Sequence, residues 1–223
     1  KVSSIILSSN FRFKLTPDTS DDPQKPLYTI GSTAEEFFAM QVLCRNVKKL
    51  FKISMSSRHE ILSQLKMLLR EDKNRYYIIR TDVRHCFESI PHDKLFEYLE
   101  GNNLLDVKSK SLLRGLVRKE FESKNLRPLV PTLHTGIPRG CAISSLLSEF
   151  YLSKIDEEVR RTLSGIVFMA RYVDDIIIVV HPDLDDEHWL SLNDYVKFLI
   201  DTYAKHGLTI HTPTDGTGKC YIY

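Results

Sequence analysis

Apolar and polar residues alternate with a changing period along this chain, and each change of period marks an element. Residues 8–32 are polar and turn-rich, with Pro17, Pro23, Pro26 and Gly31, and read as loop or irregular strand. Ser32 followed by Glu35 has capping-box spacing and opens a helix in which Phe37, Met40, Cys44, Val47 and Leu50 recur at helical intervals. A second helix covers 57–70, with Ile61, Leu62, Leu65, Leu68 and Leu69 along one face. The period then drops to that of a strand at Tyr76-Tyr77-Ile78-Ile79-Arg80-Thr81-Asp82, a run that ends in an acid. Pro91 begins a short helix to about Glu100, and Asp106 caps another that carries Leu112, Leu113, Leu116 and Val117. Gly136-Ile137-Pro138-Arg139-Gly140 is a loop, and a long helix follows with Ile143, Leu146, Leu147, Phe150 and Ile155.

Two strand-like runs come next, 166–173 and 176–180, both almost entirely apolar and separated only by Asp174-Asp175, which is hairpin spacing. A helix over roughly 186–206 carries Trp189, Leu192, Tyr195, Val196, Leu199 and Tyr203, with Gly207 as its stop. Leu208–Ile210 and Cys220–Tyr223 complete the pattern as short strands. From residue 76 onward the order is strand, helices, hairpin, helix, strand. That order predicts an α+β fold with a ferredoxin-like antiparallel sheet and helices on one face.

Composition narrows the picture only a little. A chain of 223 residues and 25.9 kDa buries one core, or two unequal subdomains. Lys+Arg number 31 against Asp+Glu 29, a net charge of +2, so no acidic partner is announced by charge alone. Cys44, Cys86, Cys141 and Cys220 have no metal-ligand spacing, and the chain is too large to need disulfide staples. A reduced, cytoplasmic setting is expected. The apolar run Ile5-Ile6-Leu7 is too short for a signal peptide, and nothing approaches the length of a membrane span, so no membrane partner is expected.

The chemistry lies in the acids. Adjacent Asp pairs occur at Asp21-Asp22, Asp174-Asp175 and Asp185-Asp186, and the first and third sit in polar, turn-like surroundings. Asp174-Asp175 stands between two apolar strands, where a tight turn normally takes Asn-Gly or Asp-Gly. Two carboxylates repel by about 4 kcal/mol at about 4 Å for an effective dielectric near 20, and a divalent cation is the simplest offset. Asp82 ends a strand able to pair beside the hairpin and so supplies a third carboxylate. An all-oxygen set suits Mg²⁺ or Mn²⁺ rather than zinc, and such a set can hold two ions for in-line phosphoryl transfer. His181 and His188, near Asp183, Asp185 and Asp186, read as a solvated acidic turn opening a helix rather than as a second metal site.

Three segments resemble motifs of one family. Thr81-Asp82-Val83-Arg84-His85-Cys86-Phe87-Glu88-Ser89-Ile90-Pro91-His92 resembles the first palm motif of reverse transcriptases. Gly136-Ile137-Pro138-Arg139-Gly140, continuing to Leu152 and Asp156, resembles the second, and Arg171-Tyr172-Val173-Asp174-Asp175 matches the third, Tyr-x-Asp-Asp. The resemblance implies a polymerase palm spanning 76–223, with 101–135 as a fingers-side helical insertion. It also implies a mainly helical fingers subdomain over 1–75, and a thumb absent from this chain.

It implies an RNA-directed DNA polymerase with Asp82, Asp174 and Asp175 as catalytic metal ligands for two Mg²⁺ (or Mn²⁺) ions, joined by the Val83 carbonyl. Phe87 would be a steric gate against a ribose 2′-hydroxyl, rejecting the competitor by a clash. Arg139 and Gly140 would contact the nucleotide, and Tyr172, Gly136 and Pro138 the primer and template. Partners implied are dNTPs, an RNA template or non-coding RNA, the DNA product, and a partner protein or second copy of the chain.

The run Gly-Ile-Pro-Arg-Gly with Ile143-Ser144-Ser145 resembles bacterial antiviral or abortive-infection reverse transcriptases more than retroviral ones. The chain departs from the family pattern in carrying Arg139 where Gln is usual. It also has only Lys219 where a Lys normally follows the Gly-Leu turn. Lys14, Lys25 and Arg45 are the candidates for gripping a triphosphate. A nucleotidyl cyclase or other palm nucleotidyltransferase, and an inactive RNA-binding palm scaffold, are the competing readings.

Overall fold

The computed structural model describes residues 2–18, 26–71, 75–101, 104–118, 134–181 and 191–223. In chain order the elements are α1 (Val2–Leu7), β1 (Leu15–Asp18), β2 (Leu27–Ile30), α2 (Ala34–Leu50), α3 (Arg58–Glu71), β3 (Tyr77–Asp82) and α4 (Cys86–Ser89). They continue as α5 (His92–Glu100), α6 (Val107–Val117), α7 (Ala142–Thr162), β4 (Ile166–Tyr172), β5 (Asp175–Val180), α8 (Leu192–Lys205) and β6 (Tyr221–Ile222). The chain divides into two compact units, one of 1–53 with 87–151 and the other of 54–86 with 152–223.

In the first unit, β1 and β2 pair antiparallel within the segment expected to be loop or irregular strand, with Leu15 opposite Ile30 and Asp18 opposite Leu27. The α2 cap lies one residue beyond the expected Ser32–Glu35 pair. Thr33 accepts from the Glu36 amide, and the Glu36 carboxylate reaches back to the Thr33 backbone N–H. Glu36 wins because its carboxylate also accepts the Lys14 amide at 2.8 Å, so one buried acid ties the helix start to the residue just before β1. The buried stripe shifts with the cap. Ala39, Met40, Leu43 and Val47 face inward, while Phe37, expected on that face, is 59% exposed. Asp106 caps α6 as its position predicts, accepting the Ser109 amide at 2.9 Å.

The second unit holds a four-stranded sheet in the order β4-β5-β3-β6, with every pairing antiparallel. Numbered within this unit the order is 2-3-1-4, the ferredoxin-like arrangement read from the sequence. Alternation sets the faces. Ile79, Ile178 and Met169 align across three strands, as do Thr81, Ile176 and Arg171, and all six are buried. Arg80 and Asp82 take the opposite face of β3. The expected strand at 208–210 is reduced to one bridge between Ile210 and Val83. The apolar face expected on α3 is only half-covered, since Leu62 and Leu69 are exposed. The expected helix over 186–206 is described from Ser191, its N-cap, onward, and residues 182–190, with His188, Asp183, Asp185, Asp186 and Trp189, lie outside the described residues.

Candidate active site

Strand register brings the acids of the second unit together. Asp82, the last residue of β3, stands directly opposite Asp175, the first of β5, which is also opposite Tyr172. Residues paired this way in an antiparallel sheet have Cβ atoms about 5 Å apart, and like charges there are unfavourable. The hairpin turn is Val173-Asp174 rather than Asp174-Asp175, because Asp175 already belongs to β5. Val173 adopts φ 58°, the position that Gly normally fills in a two-residue turn of this hand. A β-branched residue there is strained, and the Val83 amide pins the turn by donating to the Asp174 carbonyl at 3.2 Å. Asp174 is half-buried. Burial first, and then the charges of Asp82 and Asp175, push its carboxyl above the ordinary carboxylate range.

Basic groups stand beside these acids. Arg80 reaches Asp175 at 3.3 Å, Lys219 Nζ reaches Asp82 Oδ2 at 3.1 Å, and His211 Nε2 lies 3.2 Å from Asp82 Oδ1. Lys219, which lacked the expected spacing in the sequence, thus arrives at Asp82. It is carried there by residues 211–219, which are wound around Asp215. The Asp215 carboxylate accepts from the Thr217 hydroxyl and amide and from the Thr212 amide, meets His211 Nδ1 at 2.7 Å, and pairs with Arg84. The Thr217 hydroxyl foremost, with these other donors, holds its carboxyl well below the usual carboxylate range. A depressed carboxyl stabilises the fold above its unfolded pKa, near 3.8, and that contribution is lost as pH falls. Asp215→Asn should therefore flatten the acid limb of a melting-temperature profile below about pH 4, while amide exchange over 211–219 speeds up at neutral pH. An unchanged acid limb would show that Asp215 does not organise this segment.

No group of three His, Cys, Asp or Glu side chains among the described residues is gathered tightly enough to cage a metal ion. The donor set nevertheless fits one. Asp82 Oδ1 is buried with no well-aligned hydrogen bond, its contact being the His211 ring nitrogen at 3.2 Å, and the carboxylate oxygens of Asp82, Asp174 and Asp175 are donors of the kind Mg²⁺ and Mn²⁺ prefer. Divalent cations there would take the place of the ammonium and guanidinium groups that now offset the acids.

The remaining expected residues lie in the first unit, on β4 or just past β3. The Gly136–Gly140 loop is stitched down by its backbone. Gly136 N–H donates to the Ile90 carbonyl at 2.8 Å, Ile137 N–H to Phe87 at 2.7 Å, and the Pro138 carbonyl accepts the Ser144 hydroxyl at 2.6 Å. The Arg139 carbonyl accepts the Tyr28 amide at 2.7 Å, and its guanidinium lies 3.6 Å from Glu88 and 5.8 Å above the Phe87 ring. Tyr172 is exposed on β4, and Val83 is buried at the end of β3. Lys14 and Arg45 are exposed, and Lys25 lies outside the described residues.

Sequence reasoning missed Asp215 and His211, whose only signal was a polar turn after Ile210. It also missed the pairing of Arg171 with Asp156, 2.9 Å apart and buried. The strand period signalled that one, since Arg171 shares the inward face with Met169 and a buried arginine needs a partner.

The chain matches the family described as "Reverse transcriptase (RNA-dependent DNA polymerase)" over residues 32–213. It is 24% identical over 183 residues to the "Uncharacterized 91 kDa protein in cob intron" of Schizosaccharomyces pombe, covering 74% of this chain and 21% of that protein. To the "Putative COX1/OXI3 intron 2 protein" of Saccharomyces cerevisiae it is 33% identical over 81 residues, 36% of this chain and 9% of that one. Among solved structures, apo telomerase from Candida tropicalis superposes with a TM-score of 0.56 at 14% identity, over 97% of this chain and 45% of that chain. The same telomerase in complex with a TWJ fragment of telomeric RNA gives a TM-score of 0.52 at 13% identity, over 95% and 40%. These structural likenesses show the fold, and the chain spans less than half the length of each of these relatives and matched structures.

Proposed function

Given that the chain belongs to the reverse transcriptase (RNA-dependent DNA polymerase) family, we propose that it adds deoxynucleotides to a DNA 3′ end on an RNA template, with Asp82, Asp174 and Asp175 as its catalytic acids. The observation that carries this reading is the register that sets Asp82 against Asp175 beside a strained turn bearing Asp174. A binding scaffold gains nothing from that cost, since replacing any one acid would relieve repulsion and burial. Bound divalent cations would supply activation of the primer hydroxyl and neutralisation of the leaving pyrophosphate.

The chain's own residues do the rest. The three carboxylates and the Val83 carbonyl would hold the cations. Tyr172, exposed beside Asp175, contacts the primer end. Lys219, 3.1 Å from Asp82, keeps that carboxylate compensated until cations bind. Gly136, Pro138, Arg139 and Gly140 are the nucleotide and template contacts by motif position, and residues 1–75 and 76–223 are the fingers and palm of the same polymerase.

Purified protein with primed RNA, dNTPs and Mg²⁺ or Mn²⁺ should extend the primer, and sequencing the product with and without RNA separates copying from untemplated synthesis. Product chromatography showing a cyclic nucleotide instead would establish the cyclase reading.

Phe87 is the sugar gate of this proposal, half-buried and five residues after Asp82. Phe87→Ala should raise ribonucleotide incorporation relative to deoxynucleotide by about tenfold or more, measured as a ratio of kcat/KM. An unchanged ratio in a folded variant removes the gate.

A place in bacterial antiphage defence rests on the run Gly136-Ile137-Pro138-Arg139-Gly140 with Ile143-Ser144-Ser145. Phage plating on cells carrying the wild-type or the Asp174→Asn protein tests it, and equal plating on both would remove it.

A further inference from the structure

Beneath the hairpin lies an ion pair that the proposed chemistry does not use. Arg171 points inward from β4, its side chain only 4% exposed, and Nε donates to Asp156 of α7 at 2.9 Å. The same guanidinium has a second partner, since Nη1 donates to the Val173 carbonyl at 2.7 Å. Val173 is the residue forced to φ 58°, and its carbonyl belongs to the peptide that leads into Asp174. Behind the pair, the fully buried Tyr203 hydroxyl is pushed well above its ordinary pKa, chiefly by burial and then by the Asp156 carboxylate. That surrounding is apolar enough for the Arg171 hydrogen bonds to be worth keeping.

The geometry points to Arg171 as a positioning residue: anchored by Asp156, its fork grips the Val173 carbonyl, holds the hairpin tip in its strained conformation, and so aims Asp174 for cation binding. The inference rests on the reading of Asp174 as a metal ligand. It follows from shape as much as charge. Planar guanidinium can serve the Asp156 carboxylate and a carbonyl at a fixed angle to it, whereas an ammonium is a point donor. A β-branched residue does not remain in the left-handed region without such a restraint.

Arg171→Lys separates this role from a purely structural one, because it keeps a charge for Asp156 and loses the fork. The protein should stay folded by circular dichroism and bind Mn²⁺, followed by calorimetry, about tenfold more weakly. Its kcat for primer extension should fall by a similar factor, with a smaller change in the KM for dNTP. Adding Val173→Gly, which takes the left-handed conformation without steric cost, should return Mn²⁺ affinity to within about threefold of wild type.

Wild-type Mn²⁺ affinity in Arg171→Lys, or a folded double variant that regains nothing, would overturn the inference. If Arg171→Lys does not fold, the double variant Arg171→Met with Asp156→Leu, without buried charge, carries the same comparison. The Mn²⁺ titration does not depend on polymerisation. A wild-type protein that binds Mn²⁺ but extends no primer overturns the polymerase reading and leaves the strut standing.

Discussion

An Asp174→Asn protein should lose on the order of a thousandfold of its primer-extension rate while melting at a higher temperature than the wild type. The rate loss follows from the proposed role, in which Asp174 would be one carboxylate of the set holding the reacting phosphate's cations, because a single missing electrostatic partner costs about two to three orders of magnitude. The gain in stability follows from the apo structure. Asp174 is half-buried, and burial together with Asp82 and Asp175 raises its carboxyl pKa. A carboxyl so raised stabilises the fold only below its unfolded pKa, and that benefit is gone once pH has risen through the folded value.

At neutral pH the wild type therefore carries a cost that asparagine removes. The melting temperature should rise by roughly 2–4 °C for each kcal/mol relieved in a chain of this size. The advantage should shrink toward pH 3, where the wild-type carboxyl is itself neutral. Mn²⁺ should raise the melting temperature of the wild type, since a ligand bound only by the folded state stabilises it, and should have little effect on Asp174→Asn. Extension at an undiminished rate, or a variant less stable than wild type at neutral pH, would remove Asp174 from the metal site.

The opposite signs of those two effects explain why this part of the chain could be read without a structure. Local rules asked for glycine or asparagine at the hairpin tip, and the sequence offered Asp174-Asp175 there, one residue later than the Val173-Asp174 turn that forms. A residue that violates local preference inside strong strand periodicity marks function more reliably than a conforming one does. The sheet was legible for a related reason. The runs ending at Asp82 and flanking Asp174 are apolar enough to demand burial, and antiparallel pairing of β3 with β5 is the arrangement that aligns their inward faces.

What could not be read depended on contacts between distant residues. The α2 cap moved from Ser32 to Thr33 because Glu36 has a second acceptor role toward Lys14, twenty-two residues earlier in the chain, and spacing alone carries no trace of it. The segment 211–219 is held by Asp215 gathering the Thr217 hydroxyl, two amides, His211 and Arg84, and such a knot has no period. Lys219 was therefore invisible as a neighbour of Asp82, although it ends up 3.1 Å away. Arg171 lay between these cases. Its inward register was legible, and its partner Asp156, fifteen residues away on α7, was not.

Gly140→Ala should be among the most damaging single substitutions in the first unit. Gly140 has φ +92°, and a Cβ built there would stand 2.9 Å from the Tyr28 carbonyl oxygen, a backbone atom that cannot swing away. Two costs combine, the left-handed backbone and the overlap, for a loss of about 2–4 kcal/mol. The melting temperature should fall by roughly 5–15 °C. Gly216→Ala isolates the first cost, because Gly216 has φ +71° with nothing within 4 Å of the added carbon, and it should lose only about 1 kcal/mol.

The loop can escape the overlap only by withdrawing from β2. That breaks the hydrogen bond from the Tyr28 amide to the Arg139 carbonyl, now 2.7 Å, so exchange of the Tyr28 amide should accelerate in Gly140→Ala and not in Gly216→Ala. Because Arg139 moves with that carbonyl, a nucleotide-contacting loop further requires the KM for dNTP to rise in Gly140→Ala under conditions where the protein is still folded. Equal destabilisation by the two alanines would mean that contact with Tyr28 does not fix this loop. A normal KM alongside accelerated Tyr28 exchange would separate the loop from nucleotide binding altogether.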